Sequence, residues 1–134
     1  MRKLQRYLAY TFAALISVMP LSLSAKNTSS HPVIQVQVYG NGEPVLLIPG
    51  LMSDGSVWQS TAEALSKNYQ VHIVNVAGFG ATPETEGTTA QRVEQAIVDY
   101  IHQEKLLSPV VIGHSFGGFI AMALTVNPQV AIKK

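Results

Sequence analysis

Five residues late in the chain, Gly113-His114-Ser115-Phe116-Gly117, have the types and spacing to do covalent chemistry. They follow the apolar run Val110-Val111-Ile112, suited to a buried parallel strand, and precede a helix-like apolar segment from Phe119 to Val126. A serine on a sharp strand-to-helix turn offers its hydroxyl as a nucleophile to a carbonyl carbon. So sharp a turn strains the serine backbone. Gly113 and Gly117 fit because side chains there would strike the neighbouring strand and helix. A plain loop would also tolerate glycines and a serine, but the strand–turn–helix context favours Ser115 as the catalytic residue.

Attack on a carbonyl builds negative charge on its oxygen, which needs preorganised donors within about 3 Å. Leu47-Ile48-Pro49-Gly50-Leu51-Met52 reads as a second buried strand ending in a glycine turn. The backbone N–H groups of Leu51 and of Phe116, the residue after the serine, are the candidate oxyanion donors. The serine also needs a base, and the base an orienting acid. His114 adjoins the serine, but adjacent side chains diverge. His72 reads as a strand residue, His102 as a helix residue and His31 as part of a polar segment. Asp54 reads as a helix cap, and Glu63, Glu94, Asp99 and Glu104 as solvated helix charges. No cofactor or metal is expected, because no histidine pair or carboxylate cluster has ligand spacing. Without cysteine there is no thiolate catalysis, disulfide or Cys-type zinc site.

The elements that must position these residues follow from periodicity. Val33 to Tyr39 alternates apolar residues with Gln35 and Gln37, a half-exposed strand, and Gly40-Asn41-Gly42 signals a hairpin. Pro44 to Pro49 is a buried strand. Trp58, Ala62 and Leu65 mark one face of a helix over 57–67, capped by Asp54 or Ser56 and ended by Asn68. Val71 to Val76 is the next strand, and Ala77 to Pro83 a Gly-rich loop. Thr88 and Gln91 form a capping-box pattern ahead of Val93, Ala96, Ile97, Tyr100 and Ile101, which keep helical spacing to about Lys105. This alternation predicts an α/β domain with a mostly parallel sheet and helices on both faces.

The 134 residues allow one domain at most. Arg2, Lys3 and Arg6 precede an apolar run from Leu8 to Leu23, and Ser24-Ala25 supplies a small residue at a cleavage edge. That order predicts a secretory signal over 1–25, a linker over 26–32 and the folded domain over 33–134, with an exported product. The alternative is an uncleaved anchor over 8–23, the one way a membrane becomes a partner. Without residues 1–25, six basic residues face eight acidic ones, a net charge of −2. No basic patch is interleaved with aromatics, so nucleic acid is not an expected partner.

Three segments together resemble the α/β-hydrolase superfamily in order and spacing. They are Pro49-Gly50-Leu51-Met52-Ser53-Asp54-Gly55-Ser56-Val57-Trp58, Val76-Ala77-Gly78-Phe79-Gly80 and Gly113-His114-Ser115-Phe116-Gly117-Gly118. The first is similar to the family's His-Gly oxyanion motif, with Pro49 where His is common. The second resembles its Asp-x-x-Gly-x-Gly loop, with Asn75 where Asp is common. The likeness runs from about Val33 to Asn127 and implies a cofactor-free serine hydrolase of the esterase and lipase type. Its substrate would be a small ester, amide or similar carbonyl compound.

In that superfamily the acid and the histidine of the triad follow the serine. After Ser115 this sequence has no Asp, Glu or His. The chain is therefore expected to correspond to the N-terminal part of such a domain, ending after the elbow helix, and to be inactive or nearly so alone. A complementing C-terminal chain would be its partner; a non-catalytic remnant is the other reading. An elbow strand left at a sheet edge is expected to make the product poorly soluble.

Overall fold

The computed structural model describes residues 26–133, so the expected signal over 1–25 and the alternative anchor over 8–23 lie outside the described residues. Five strands form one mixed sheet: β1 (Lys26–His31), β2 (Ile34–Tyr39), β3 (Glu43–Ile48), β4 (Tyr69–Val76) and β5 (Val110–Gly113), in the spatial order β1-β2-β4-β3-β5. Strands β4, β3 and β5 are parallel, whereas β1 and β2 are antiparallel additions. Three helices, α1 (Gln59–Leu65), α2 (Ala90–Gln103) and α3 (Phe116–Val126), complete the fold.

Strand alternation sorts the core into two faces. On one, Val45, Leu47, Val71 and Ile73 pack with Ala62 of α1, and Trp58 and Leu65 border the cluster. On the other, Leu46, Ile48, Val74 and Val76 pack with Val93, Ile97 and Ile101 of α2 and with Ile120 and Leu124 of α3. Helices thus cover both faces, as the alternation predicts. The β3-to-β4 connection steps one way along the sheet and the β4-to-β5 connection steps back across β3. Right-handed crossovers then place α1 and α2 on opposite faces.

Three local expectations are corrected. Gly40-Asn41-Gly42 makes no hairpin, because β2 pairs with β4 and β4 separates it from β3. The glycines, at φ +68° and +124°, instead carry the chain over the start of β4. A Cβ at Gly40 would strike the Ser66 and Tyr69 carbonyls, and one at Gly42 would lie 2.6 Å from the Asn68 carbonyl. The segment expected as a linker over 26–32 pairs antiparallel with β2 through Lys26–His31, with a register shift between Asn27 and Ser29. A polar stretch can serve as an edge strand because its ladder needs only backbone. The N-cap of α2 is Thr89, whose hydroxyl accepts from Arg92 N at 3.2 Å, and not Thr88. Thr88 instead donates to Thr85 O at 2.8 Å within the preceding turn.

The helix expected over 57–67 is a 3₁₀ turn, Gly55–Trp58, followed by α1. Asp54 caps the turn by accepting from Ser56 N at 2.9 Å. The expected helical face of α2 is buried in full, at Val93, Ala96, Ile97, Tyr100 and Ile101.

Candidate active site

The loops after β3 and β5 leave the sheet at the point where strand order reverses, which is where parallel α/β sheets hold their ligands. The β3–β5 ladder runs on past the strands, with His114 N donating to Ile48 O at 3.1 Å. The next residue, Ser115, has φ +53° and ψ −115°, a conformation that costs a non-glycine residue roughly 1–3 kcal/mol. Ser115 is exposed, and α3 starts directly after it.

The glycines that hold this turn have separate jobs. A Cβ on Gly113 would run into the Gly117 carbonyl, so that glycine admits the first turn of α3. A Cβ on Gly117 would run into the Ile48 carbonyl and lie 2.7 Å from that of Pro49, so that one admits β3. Gly118, next along, meets nothing nearer than Gly113 O at 3.4 Å, an ordinary contact.

The same approach brings the β3 turn to the serine. A Cβ on Gly50 would lie 3.5 Å from Ser115 Cβ and 3.0 Å from His114 Nδ1. Among the described residues, the N–H groups of Leu51 and Phe116 donate to no protein acceptor. Phe116 N–H is free as one of the first donors of its helix. Leu51 N–H is free because the chain turns there, with Ser53 N bonding back to Gly50 O at 3.2 Å. Leu51 is 57% exposed, and Met52, 80% exposed, holds φ +60°. The Phe116 side chain turns away and meets Phe79 edge to face, with ring centres 6.4 Å apart.

No histidine or carboxylate among the described residues hydrogen-bonds Ser115. His72 is buried between β4 and α2, its Nδ1 2.6 Å from the Tyr100 hydroxyl and its Nε2 3.2 Å from Gln70 Oε1. The glutamine oxygen can only accept, so Nε2 carries the proton and Nδ1 accepts from the tyrosine. Burial pushes its pKa down to about 4. His102 binds Gln129 O through Nε2 at 2.8 Å, and His31 Nε2 lies 3.9 Å from Asp99 Oδ2. His114 is exposed beside Gly50.

Some contacts that shape the site have no signature in the sequence. Gly80 is at φ +55°, and a Cβ there would run into the Asp54 carboxylate. Hydrogen bonds from the Ser56 hydroxyl, Ser56 N–H and Ala81 N–H hold that carboxylate below its ordinary pKa. Asp54 therefore joins two loops as well as capping a turn. Asn75 accepts from Gly55 N at 2.7 Å, tying the end of β4 to the same turn. The Asp-to-Asn departure keeps an oxygen where the turn needs one.

Comparison with known proteins agrees with this fold. A family model described as alpha/beta hydrolase fold matches residues 43–134. Over 98 residues, 73% of this chain, the sequence is 30% identical to a pimeloyl-[acyl-carrier protein] methyl ester esterase of Vibrio cholerae serotype O1. It spans 37% of that protein's length. A solved marine microorganism esterase superposes with a TM-score of 0.67 at 27% identity, covering 84% of this chain and 40% of that one. An alpha/beta hydrolase fold protein from Burkholderia ambifaria gives 0.69 at 21% identity, over 81% of this chain and 40% of that one, a likeness of fold.

Proposed function

The chain belongs to the alpha/beta hydrolase fold family, and from that premise we propose that it carries the nucleophile and oxyanion hole of a serine esterase. The observation that carries the reading is Ser115, strained at the tip of its turn and flanked by the unpartnered N–H groups of Leu51 and Phe116. In the proposed reaction Ser115 Oγ bonds to the carbonyl carbon of a small ester or related acyl compound, while the two N–H groups take the oxyanion charge. Collapse expels the alcohol and leaves an acyl-serine, which water hydrolyses.

The Ser115 proton must go to a base, and none among the described residues is in place. His72 is committed to Tyr100 and Gln70, and His102 to Gln129. We therefore propose that the base and its acid come from outside these residues, by extension of the polypeptide or from a complementing chain, and that the 134 residues alone turn over little. Export through residues 1–25 is part of the same proposal, tested by locating the mature chain in cell fractions.

The test is labelling by a fluorophosphonate probe. The 134-residue chain should label no more than Ser115→Ala, and adding the C-terminal section of a homologous esterase in trans should produce Ser115-dependent labelling and ester hydrolysis. Strong labelling of the chain alone would overturn the need for an outside base. A folded, complemented chain that stays unlabelled would overturn the nucleophile and favour a non-catalytic module.

A further inference from the structure

The turn after β3 that carries Leu51 is short, and both of its ends are pressed against other parts of the fold. At one end Gly50 lies on the elbow, where a Cβ would come within 3.0 Å of His114 Nδ1 and 3.5 Å of Ser115 Cβ. At the other Gly55 lies on the end of β4, where a Cβ would strike Ile73 Cγ2 and stand 2.9 Å from Asn75 Oδ1. Only Leu51, Met52, Ser53 and Asp54 lie between them.

Those intervening residues do not hold themselves in place. Leu51 and Met52 are exposed, so packing does not fix them. Ser53 N bonds back to Gly50 O at 3.2 Å, and Met52 sits at φ +60°, a conformation that a non-glycine residue keeps only where its surroundings impose it. Asp54 bonds Ser56 N, on the same segment, and leans on Gly80, which belongs to another loop. The tie to the sheet is the buried bond from Gly55 N–H to Asn75 Oδ1, 2.7 Å long and joining residues 20 apart in the chain. Asn75 is the last residue but one of β4, a strand paired on both sides, so its oxygen is a fixed point.

We propose that Asn75 is a positioning residue for the oxyanion hole: by holding Gly55 on β4, it sets where the Leu51 N–H points relative to Ser115. The role rests on the reading of Leu51 and Phe116 as oxyanion donors. Phe116 N–H belongs to the first turn of α3 and needs no such support, so the two donors are aligned by different means. Asn75 acts through Gly55 and not by touching the reacting atoms. Once that bond is cut, the strained turn relaxes, and a shift of about 1 Å is enough to remove most of a donor's effect. Asn75 also lines an open polar cleft over β2, beside Gln35 and Gln37, so the second oxygen of an aspartate there meets water.

Two measurements on the full chain test the role. In 15N NMR spectra Asn75→Ala should shift the Leu51 amide resonance and leave that of Phe116 in place. Asn75→Asp, which keeps an oxygen for Gly55 N–H, should leave both. With the C-terminal section of a homologous esterase added, kcat is referred to the number of sites that a fluorophosphonate titrates, which a mere loss of folded protein would not change. Asn75→Ala should lower kcat per site by about tenfold to a hundredfold with KM within about twofold, and Asn75→Asp should stay within about threefold of the parent. An undiminished kcat in the alanine variant, an equal loss in the folded aspartate variant, or a Leu51 amide that ignores Asn75→Ala would each overturn the proposal. If the alanine variant does not fold, the aspartate variant decides: a parent-like Leu51 amide and kcat support the role, and loss of either overturns it. A complemented parent without Ser115-dependent hydrolysis would defeat the nucleophile instead, and the amide resonances would still decide whether Asn75 sets the turn.

Discussion

β4 and β5 are both apolar parallel strands on either side of β3, yet they are buried very differently. Val71 through Val76 are buried without a break, whereas Val110 and Val111 are half-buried and Ile112 is exposed. Their side chains are of one kind, so the difference comes from neighbours. β4 has a strand on each side and helices above and below, while β5 has β3 alone among the described residues. On the β4 side the sheet is relaxed and closed. On the β5 side lie the strained Ser115, the two free N–H groups and exposed Phe119 and Met122. The proposed nucleophile needs that openness, and the closed half supplies the rigidity that holds it.

The largest effect should come from breaking the contact that joins the two halves. Gly117→Ala pushes a Cβ into the Ile48 carbonyl and should cost more than about 3 kcal/mol, with loss of a cooperative urea transition. Gly118→Ala, where a Cβ meets only an ordinary contact with Gly113 O at 3.4 Å in a helical position, should leave stability unchanged or raise it by up to about 1 kcal/mol. If both variants unfold like the parent chain, α3 does not press on β3 as described.

The second effect belongs to the closed half. His72 has a folded-state pKa of about 4 against an ordinary value near 6.5, because burial disfavours its charge. Above pH 6.5 the imidazole is neutral whether the chain is folded or not, and it adds no pH dependence. Between 6.5 and about 4 the unfolded chain takes up a proton that the folded one refuses, so stability falls with falling pH, by about 3 kcal/mol in all. Urea midpoints measured from pH 7.5 to 4 should show this slope, and His72→Gln should flatten it. An unchanged slope in the variant would move the acid sensitivity elsewhere.

These contrasts also explain what the sequence could reveal. β4 is visible as a strand in Val71-His72-Ile73-Val74-Asn75-Val76, and five of the six buried positions of α2 follow from their spacing, all but Val98, because both signals are local. The turn at Ser115 is legible for the same reason: its strand, glycines and helix are contiguous. Strand adjacency is not local. Gly40-Asn41-Gly42 has hairpin chemistry, but what decides its path is that β4, buried on both faces, must have two neighbours. Lys26–His31 carries no apolar alternation, so its place at the sheet edge rests on backbone pairing that residue types do not record. The polar cleft over β2 was equally hidden. Gln35 and Gln37 look like the wet side of a strand, and only the position of α1 makes that side a concavity.

The smallest effect separates function from stability at the elbow itself. Ser115 at φ +53° and ψ −115° occupies a region that glycine enters freely and serine does not. Ser115→Gly should therefore relieve strain and stabilise the fold by about 1 kcal/mol, less the extra freedom that glycine gives the unfolded chain. Ser115→Ala keeps the Cβ and the strain, and should leave stability within about 0.5 kcal/mol of the parent. Both remove the hydroxyl, so both should abolish any fluorophosphonate labelling of the complemented chain. A gain in stability for the glycine variant alone would show that the strain is spent on holding the proposed nucleophile out of the relaxed half of the sheet. A loss of stability in both would mean that the hydroxyl itself makes a structural bond, and would count against its role in catalysis.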